Sequence, residues 1–281
     1  MQKEVIEPLR TVRGLILLKF EIKATSVEEN VKNLANLLQD GDTLVSAGGD
    51  GTASIGLNAA ITSGKKVCFS ALPYGNFNDM SRMLKTKDIA QVLEKKETKK
   101  FYPLEIFIDG KFWRYAGCYA TAGLFAESTE IFDNRKIRKN LQKNKKRLIF
   151  SVFSLADWYF KNHQKREFLP NFKINGKNAK RGTTDYLAIN GRTVARVMRG
   201  GKYFEDSGYF LSGTAKLRSL PKLLVFMAKA MTTGVGGEKS NIDILEFELP
   251  SDIEIQVEGE YRRFNKISKI EIKKSDSFVL Y

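Results

Sequence analysis

Apolar positions along the first hundred residues alternate between two periods. Residues 42–47 form a short apolar run with the character of a buried strand, and Ala53, Gly56, Leu57 and Ala60 then recur at helical spacing. The same alternation repeats downstream. Residues 66–72 read as a second buried strand, 73–79 as a polar loop, and Met80, Met83 and Leu84 resume a helical period. Residues 1–104 therefore predict an α/β domain with a doubly wound, mostly parallel sheet, whose ligands bind at the carboxyl ends of its strands. From about residue 105 the pattern shifts to short strands separated by turn signals, Asp109-Gly110, Asn175-Gly176 and Asn190-Gly191, which predicts an antiparallel second domain.

The first strand-to-helix junction holds the most specific chemistry. Gly48, Gly49 and Gly51 surround Asp50 and are followed by Thr52, at the point where an apolar strand gives way to a small-residue helix. Glycines there lack Cβ atoms, so they can adopt positive φ and let backbone N–H groups approach an anion at the positive end of a helix dipole. Thr52 is a candidate N-cap or phosphate contact. Gly-Asp-Gly also makes ordinary tight turns, and the flanking strand and helix are what favour a phosphate site. Neither standard nucleotide motif fits: there is no GxxxxGK[ST], and Ser54 stands where a dinucleotide fingerprint needs its third glycine.

A formal charge of +15 over 281 residues predicts attraction to nucleic acid, anionic lipid headgroups or phosphorylated ligands without choosing among them. Length and a 42% apolar content suffice for two cores. No stretch reaches the roughly 18–20 apolar residues of a membrane span, and the start lacks a signal peptide's apolar core, so a cytoplasmic protein is expected. Cys68 and Cys118 sit fifty positions apart in apolar contexts and read as reduced core residues; with His163 the single histidine, acid-base work falls to carboxylates. Residues 135–147 carry eight basic side chains, from Arg135 to Arg147, followed by an aromatic-rich apolar segment, 148–160. That composition suits an anionic membrane surface, and equally a solvated basic helix followed by a core helix. Residues 220–228 read as a packed helix rather than a lipid gate.

The second loop, Leu72-Pro73-Tyr74-Gly75-Asn76-Phe77-Asn78-Asp79, combined with Gly48-Gly49-Asp50-Gly51-Thr52, resembles the diacylglycerol kinase catalytic-domain family, which includes bacterial lipid kinases and sphingosine kinases. That family pairs GGDGT with a later LPxGTxND, and Asn76 here replaces its Thr. Glu205-Asp206-Ser207-Gly208 resembles the family's LDDGxLD segment, and Glu258-Gly259-Glu260 its DGE motif, although the latter also fits a hairpin turn with solvated acids. An amino-terminal strand ending in an Asn-Pro-x-Ser-Gly-like loop has no counterpart. Ile6, Leu9 and Val12 resemble its following helix and residues 14–20 the second strand, so either the chain is shortened or its true start lies upstream.

The resemblance implies a nucleotide-binding domain over 1–104, completed by about 272–281, and a β-sandwich lipid-substrate domain over 105–271, with the active site in the cleft between them. It implies transfer of the γ-phosphoryl group of ATP to a lipid hydroxyl with Mg2+ required. Gly48, Gly49, Gly51, Thr52 and Gly75 would hold phosphate, Asp50 would orient magnesium-nucleotide, and Asn78 with Asp79 would bind nucleotide or metal-bound water. Glu260 would be the general base, Glu258 would keep the charge of the family's Asp, and Asp206 would bind an accessory metal. The implied partners are a lipid substrate and, peripherally, an anionic membrane surface, with a homodimer left open. NAD kinases share GGDGT, and a catalytically impaired regulatory relative would lack turnover. A nucleic-acid-binding module would leave both glycine loops unexplained, so no nucleic-acid partner is expected.

Overall fold

The computed structural model describes residues 18–23, 25–94, 98–127, 169–196, 198–200 and 208–281. Ile6, Leu9 and Val12, the basic and aromatic segments 135–160, His163 and Asp206 lie outside the described residues. Of the expected strand over 14–20, residues 18–20 are described and are irregular. The chain divides into two compact units, one running up to Pro103 and resuming at Ser275–Tyr281, the other Leu104–Lys274.

In the first unit, helix α1 (Val27–Ala35) opens on a capping arrangement in which the Ser26 hydroxyl accepts the Glu29 N–H at 3.0 Å. Strand β1 (Thr43–Gly48) leads directly into α2 (Asp50–Thr62), and β2 (Cys68–Pro73) is followed by the short helices α3 (Asp79–Met83) and α4 (Ile89–Glu94), then by β3 (Lys100–Phe101). β1 and β2 are parallel, the closing strand Val279–Leu280 lies parallel to β2, and β3 joins it antiparallel, which gives a mostly parallel four-stranded sheet. Residues 53–60 of α2 are all buried, so this helix is enclosed on every side rather than amphipathic. Its closest approach is at Gly56, where a Cβ would fall 2.1 Å from the Ser46 hydroxyl of β1 and 2.9 Å from the Phe69 ring of β2.

The second unit is antiparallel. Its strands are β4 (Leu104–Ile108), β5 (Lys111–Ala116), β6 (Tyr119–Gly123), β7 (Phe172–Ile174), β8 (Lys177–Asn178), β9 (Asp185–Ile189), β10 (Thr193–Val194), β11 (Met198–Arg199), β12 (Phe210–Ala215), β13 (Glu238–Ser240), β14 (Ile242–Val257) and β15 (Glu260–Lys274). β10 and β11 pair separately, and the other ten form one hydrogen-bonded sheet. The register between β14 and β15 breaks near Pro250, as expected for a residue with no N–H to give a ladder. The sheet folds over one core: Ile106 of β4, Ala122 of β6, Phe210 of β12 and Ile255 of β14 belong to a single buried cluster. Trp113 of β5 meets Phe264 of β15 edge-on, with ring centroids 4.8 Å apart, although β4 lies between those strands in hydrogen-bonding order.

The turn signals resolve into two kinds. Asp109-Gly110 and Asn175-Gly176 are two-residue hairpin loops with positive φ at both positions. Asn190-Gly191 is a turn of another kind, since both of its N–H groups donate to the Cys118 carbonyl at 2.7 Å rather than closing a hairpin. The segment read as a packed helix, α5 (Leu220–Thr232), buries only Leu223 and Ala230 fully, because its apolar residues run around the helix instead of gathering on one side.

A buried carboxylate ties this core together. Asp243 accepts from the Tyr186 hydroxyl at 2.7 Å, the Ser240 hydroxyl at 2.7 Å, the Asn175 amide at 3.1 Å and the Ser212 hydroxyl. Burial and the neighbouring Asp243 carboxylate push the Tyr186 phenol well up from its usual range. Asp243→Ala strands several buried donors and is expected to cost about 3 kcal/mol or more. A urea midpoint unchanged from wild type would contradict this assignment.

Candidate active site

The two glycine loops meet because their strands are in register. The parallel β1–β2 pairing runs from Thr43 opposite Cys68 to Gly48 opposite Pro73, so both loops leave the sheet at the same level. The Tyr74 N–H then donates to the Gly48 carbonyl at 3.1 Å. Beyond that point the backbones touch: a Cβ on Gly75 would lie 2.2 Å from the Gly49 Cα, a separation no side chain can occupy.

That contact revises the reason for the glycines. None of Gly48, Gly49 and Gly51 has positive φ, and Gly49 is extended at φ −89 and ψ −172. What selects glycine at Gly49 and Gly75 is close approach of backbone to backbone. The N-cap of α2 is Gly49, not Thr52, which sits inside the first turn against Gly48. No side chain caps this helix, so no capping hydroxyl or carboxylate occupies the positive end of its thirteen-residue dipole.

Eight of the expected residues, Gly48, Gly49, Asp50, Gly51, Thr52, Gly75, Asn78 and Asp79, are therefore brought together on two adjoining loops and the helices that follow. Asp50, first residue of α2, accepts the Met80 N–H at 3.2 Å across the two loops. Burial, and next the Asp79 carboxylate, push the Asp50 carboxyl up to about 6. Asn78 takes a left-handed conformation, φ 56 and ψ 43, and its amide braces the loop: Oδ1 accepts the Gly75 N–H at 2.7 Å and Nδ2 donates to the Gly75 carbonyl at 2.8 Å. Asp79 is buried and forms an ion pair with Arg82, whose guanidinium also donates to the Phe77 carbonyl. Sequence reasoning passed over Arg82, although its place three residues after Asp79 on one helix was a usable signal.

In the second unit, Glu258-Gly259 is the two-residue loop joining β14 to β15, closed by the pair Val257 and Glu260, with positive φ at both loop positions. The hairpin is real, but Glu258 is buried and Glu260 is only partly exposed. Glu258 is 1% exposed and accepts the Cys118 N–H, and Glu260 accepts from the Arg114 guanidinium at 2.6 Å. Arg114 is itself buried and stacks over the Trp113 ring at 4.3 Å.

The turn that meets Glu258 is anchored in its own right. Asn190 donates its side-chain amide to the Gly117 carbonyl at 2.7 Å and accepts from the Lys274 ammonium, whose pKa is lowered to about 8 by burial. Arg114 and Lys274 had no local sequence signal, and Asn190 was legible only as part of a turn; 146 positions separate Arg114 from Glu260. Asp206 lies outside the described residues, and among the described residues no three His, Cys, Asp or Glu side chains gather as a metal site.

The raised Asp50 pKa fixes a pH dependence. Folded Asp50 holds its proton up to about 6 whereas the unfolded carboxyl releases it near 3.8, so within that window the folded state binds more protons and stability falls as pH rises. Asp50→Asn removes that loss, and the stability of wild type relative to the variant should fall by about 2–3 kcal/mol between pH 4 and pH 7. Parallel urea-denaturation curves at the two pH values would refute this.

The diacylglycerol kinase catalytic domain model matches residues 2–106. Among curated proteins none matches the chain in sequence. Among solved structures, one described as a diacylglycerol kinase from Bacillus anthracis str. Sterne is 16% identical with a TM-score of 0.61, covering 91% of this chain and 81% of its own. A further structure from that organism, whose assignment as a diacylglycerol kinase is provisional, is 16% identical with a TM-score of 0.67 and covers 98% of this chain and 88% of its own. At such identities the likeness shows a shared fold. The match to the diacylglycerol kinase catalytic domain model takes in both glycine loops, at 48–52 and 72–79.

Proposed function

We propose that this chain is a lipid kinase that transfers the γ-phosphoryl group of ATP to a lipid hydroxyl such as that of diacylglycerol. The observation that supports this reading best is the backbone contact of Gly49 with Gly75, which sets an uncapped helix N-terminus beside a pair of carboxylates. Backbone donors without an intervening side chain suit phosphate oxygens.

Phosphoryl transfer asks for positioning and neutralised charge more than covalent help from the protein. Gly48, Gly49, Gly51 and Thr52 hold phosphate through backbone and hydroxyl groups, and Gly75 and Asn78 fix the opposing loop. Asp50 and Asp79 are two carboxylates, a set that fits magnesium, which is commonly held by one or two acids together with substrate phosphates. When bound, such an ion would neutralise charge on the transferring group. In the reaction the acceptor oxygen forms a bond to the γ-phosphorus, the bond from that phosphorus to the β,γ-bridging oxygen breaks, and ADP leaves. The hydroxyl proton passes to Glu260, which Arg114 orients, while Glu258 is held by the Cys118 N–H and shapes the hairpin. In the family's pattern the second loop, with Gly75, Asn78 and Asp79, favours a lipid acceptor over NAD.

Steady-state ADP release with detergent-dispersed diacylglycerol, and separately with NAD+, tests this reading. Glu260→Gln is expected to lower kcat by about 100-fold with little change in the KM for ATP, as for loss of a general base. Asp50→Asn is expected to reduce turnover below detection. Full activity in either variant would remove that residue's role, and turnover with NAD+ alone would replace the lipid acceptor.

A further inference from the structure

Helix α5 carries an apolar face outward. Leu223 and Ala230 are its fully buried residues, and Phe226 packs its ring against Phe125 with centroids 5.5 Å apart, which anchors the inner side. On the far side Val225 is 68% exposed and Leu224 44% exposed, with Pro221 and Ala228 exposed beside them. At 3.6 residues per turn Lys222 and Lys229 fall on the same outward side, both exposed, along one border of this apolar strip. From residue 208 to residue 237 the chain has four basic residues, Lys216, Arg218, Lys222 and Lys229, and no acidic one.

We propose that the outward face of α5 docks on an anionic lipid bilayer. Two features choose this occupant. Lysine is depleted in the cores of protein interfaces, whereas apolar side chains bordered by lysines are the profile of a helix lying in a membrane interface. A second copy docking by the same face would bring Lys222 and Lys229 against their own equivalents with no acid on the helix to balance them. Among the described residues no helix is long and apolar enough to cross a membrane, and a thirteen-residue helix is suited to lying on one. The inference rests on the lipid-kinase reading for its purpose, since a surface of this kind would bring the enzyme to a substrate dissolved in the bilayer. The docking itself requires no turnover.

The test is flotation of the full chain with vesicles of phosphatidylcholine alone and of phosphatidylcholine mixed with phosphatidylglycerol, in the absence of ATP. Wild type is expected to float with the anionic vesicles and to be released by salt. Each lysine near an anionic surface contributes about 1 kcal/mol, so Lys222→Gln with Lys229→Gln should lower partitioning about thirtyfold. Val225→Asp should also abolish flotation, and because all three side chains are exposed, urea midpoints should match wild type. Wild-type flotation by these variants would overturn the proposal, as would a dimer in sedimentation that Val225→Asp dissolves. Salt-sensitive flotation that the variants lose, in a protein that phosphorylates no lipid, would keep the docking surface and remove the kinase reading instead.

Discussion

The contact between the backbones of Gly49 and Gly75 is the constraint on which the first unit's two glycine loops depend. A side chain at Gly75 would collide with main chain rather than with a flexible side-chain end, so neither loop can yield without shifting the strand behind it. The parallel register that ends at Gly48 and Pro73 delivers the two loops to that contact, and the enclosed helix α2 holds β1 in place. Asp50 and Asp79 are then brought near each other, Asp79 with Arg82 as its counter-charge and Asp50, among the described residues, without an ion pair of its own. Burial and mutual repulsion raise the Asp50 pKa, and this electrostatic cost is a reason to look for a cation in the same place.

The second unit solves a different problem, that of holding acids in a hairpin. The loop Glu258-Gly259 requires positive φ at both positions, which Asn or Asp accommodates more readily than Glu. Its conformation is supported from outside by the Cys118 N–H, and the turn bearing that N–H is fixed by Asn190 and Lys274. Arg114, stacked on Trp113, does the same for Glu260. Both acids thus depend on residues remote in sequence, made neighbours by the folding of one long sheet over a single core.

Much of this was legible in the chain. Alternating strand and helix periods pointed to the mostly parallel sheet, and the loops at 48–52 and 72–79 to the family model that matches residues 2–106, because both depend on residues adjacent in sequence. The antiparallel character of the second unit followed from Asp109-Gly110 and Asn175-Gly176. What could not be read were features fixed by tertiary contact. Local logic offered conformational freedom as the reason for the first loop's glycines, when the deciding factor at Gly49 was a partner 26 positions away at Gly75. It left a turn with solvated acids open for Glu258, whose partner Cys118 lies 140 positions off. It packed residues 220–228, since apolar content does not reveal which side of a helix the rest of the chain covers.

The account stands most directly on one measurement: incubation of the purified chain with γ-labelled ATP, magnesium and mixed lipids, followed by organic extraction. Label should appear in a phosphorylated lipid and should be absent when Asp50→Asn replaces wild type. Label confined to NADP+, or ATP bound with no transfer to any lipid, would contradict the assignment of these loops to a lipid kinase.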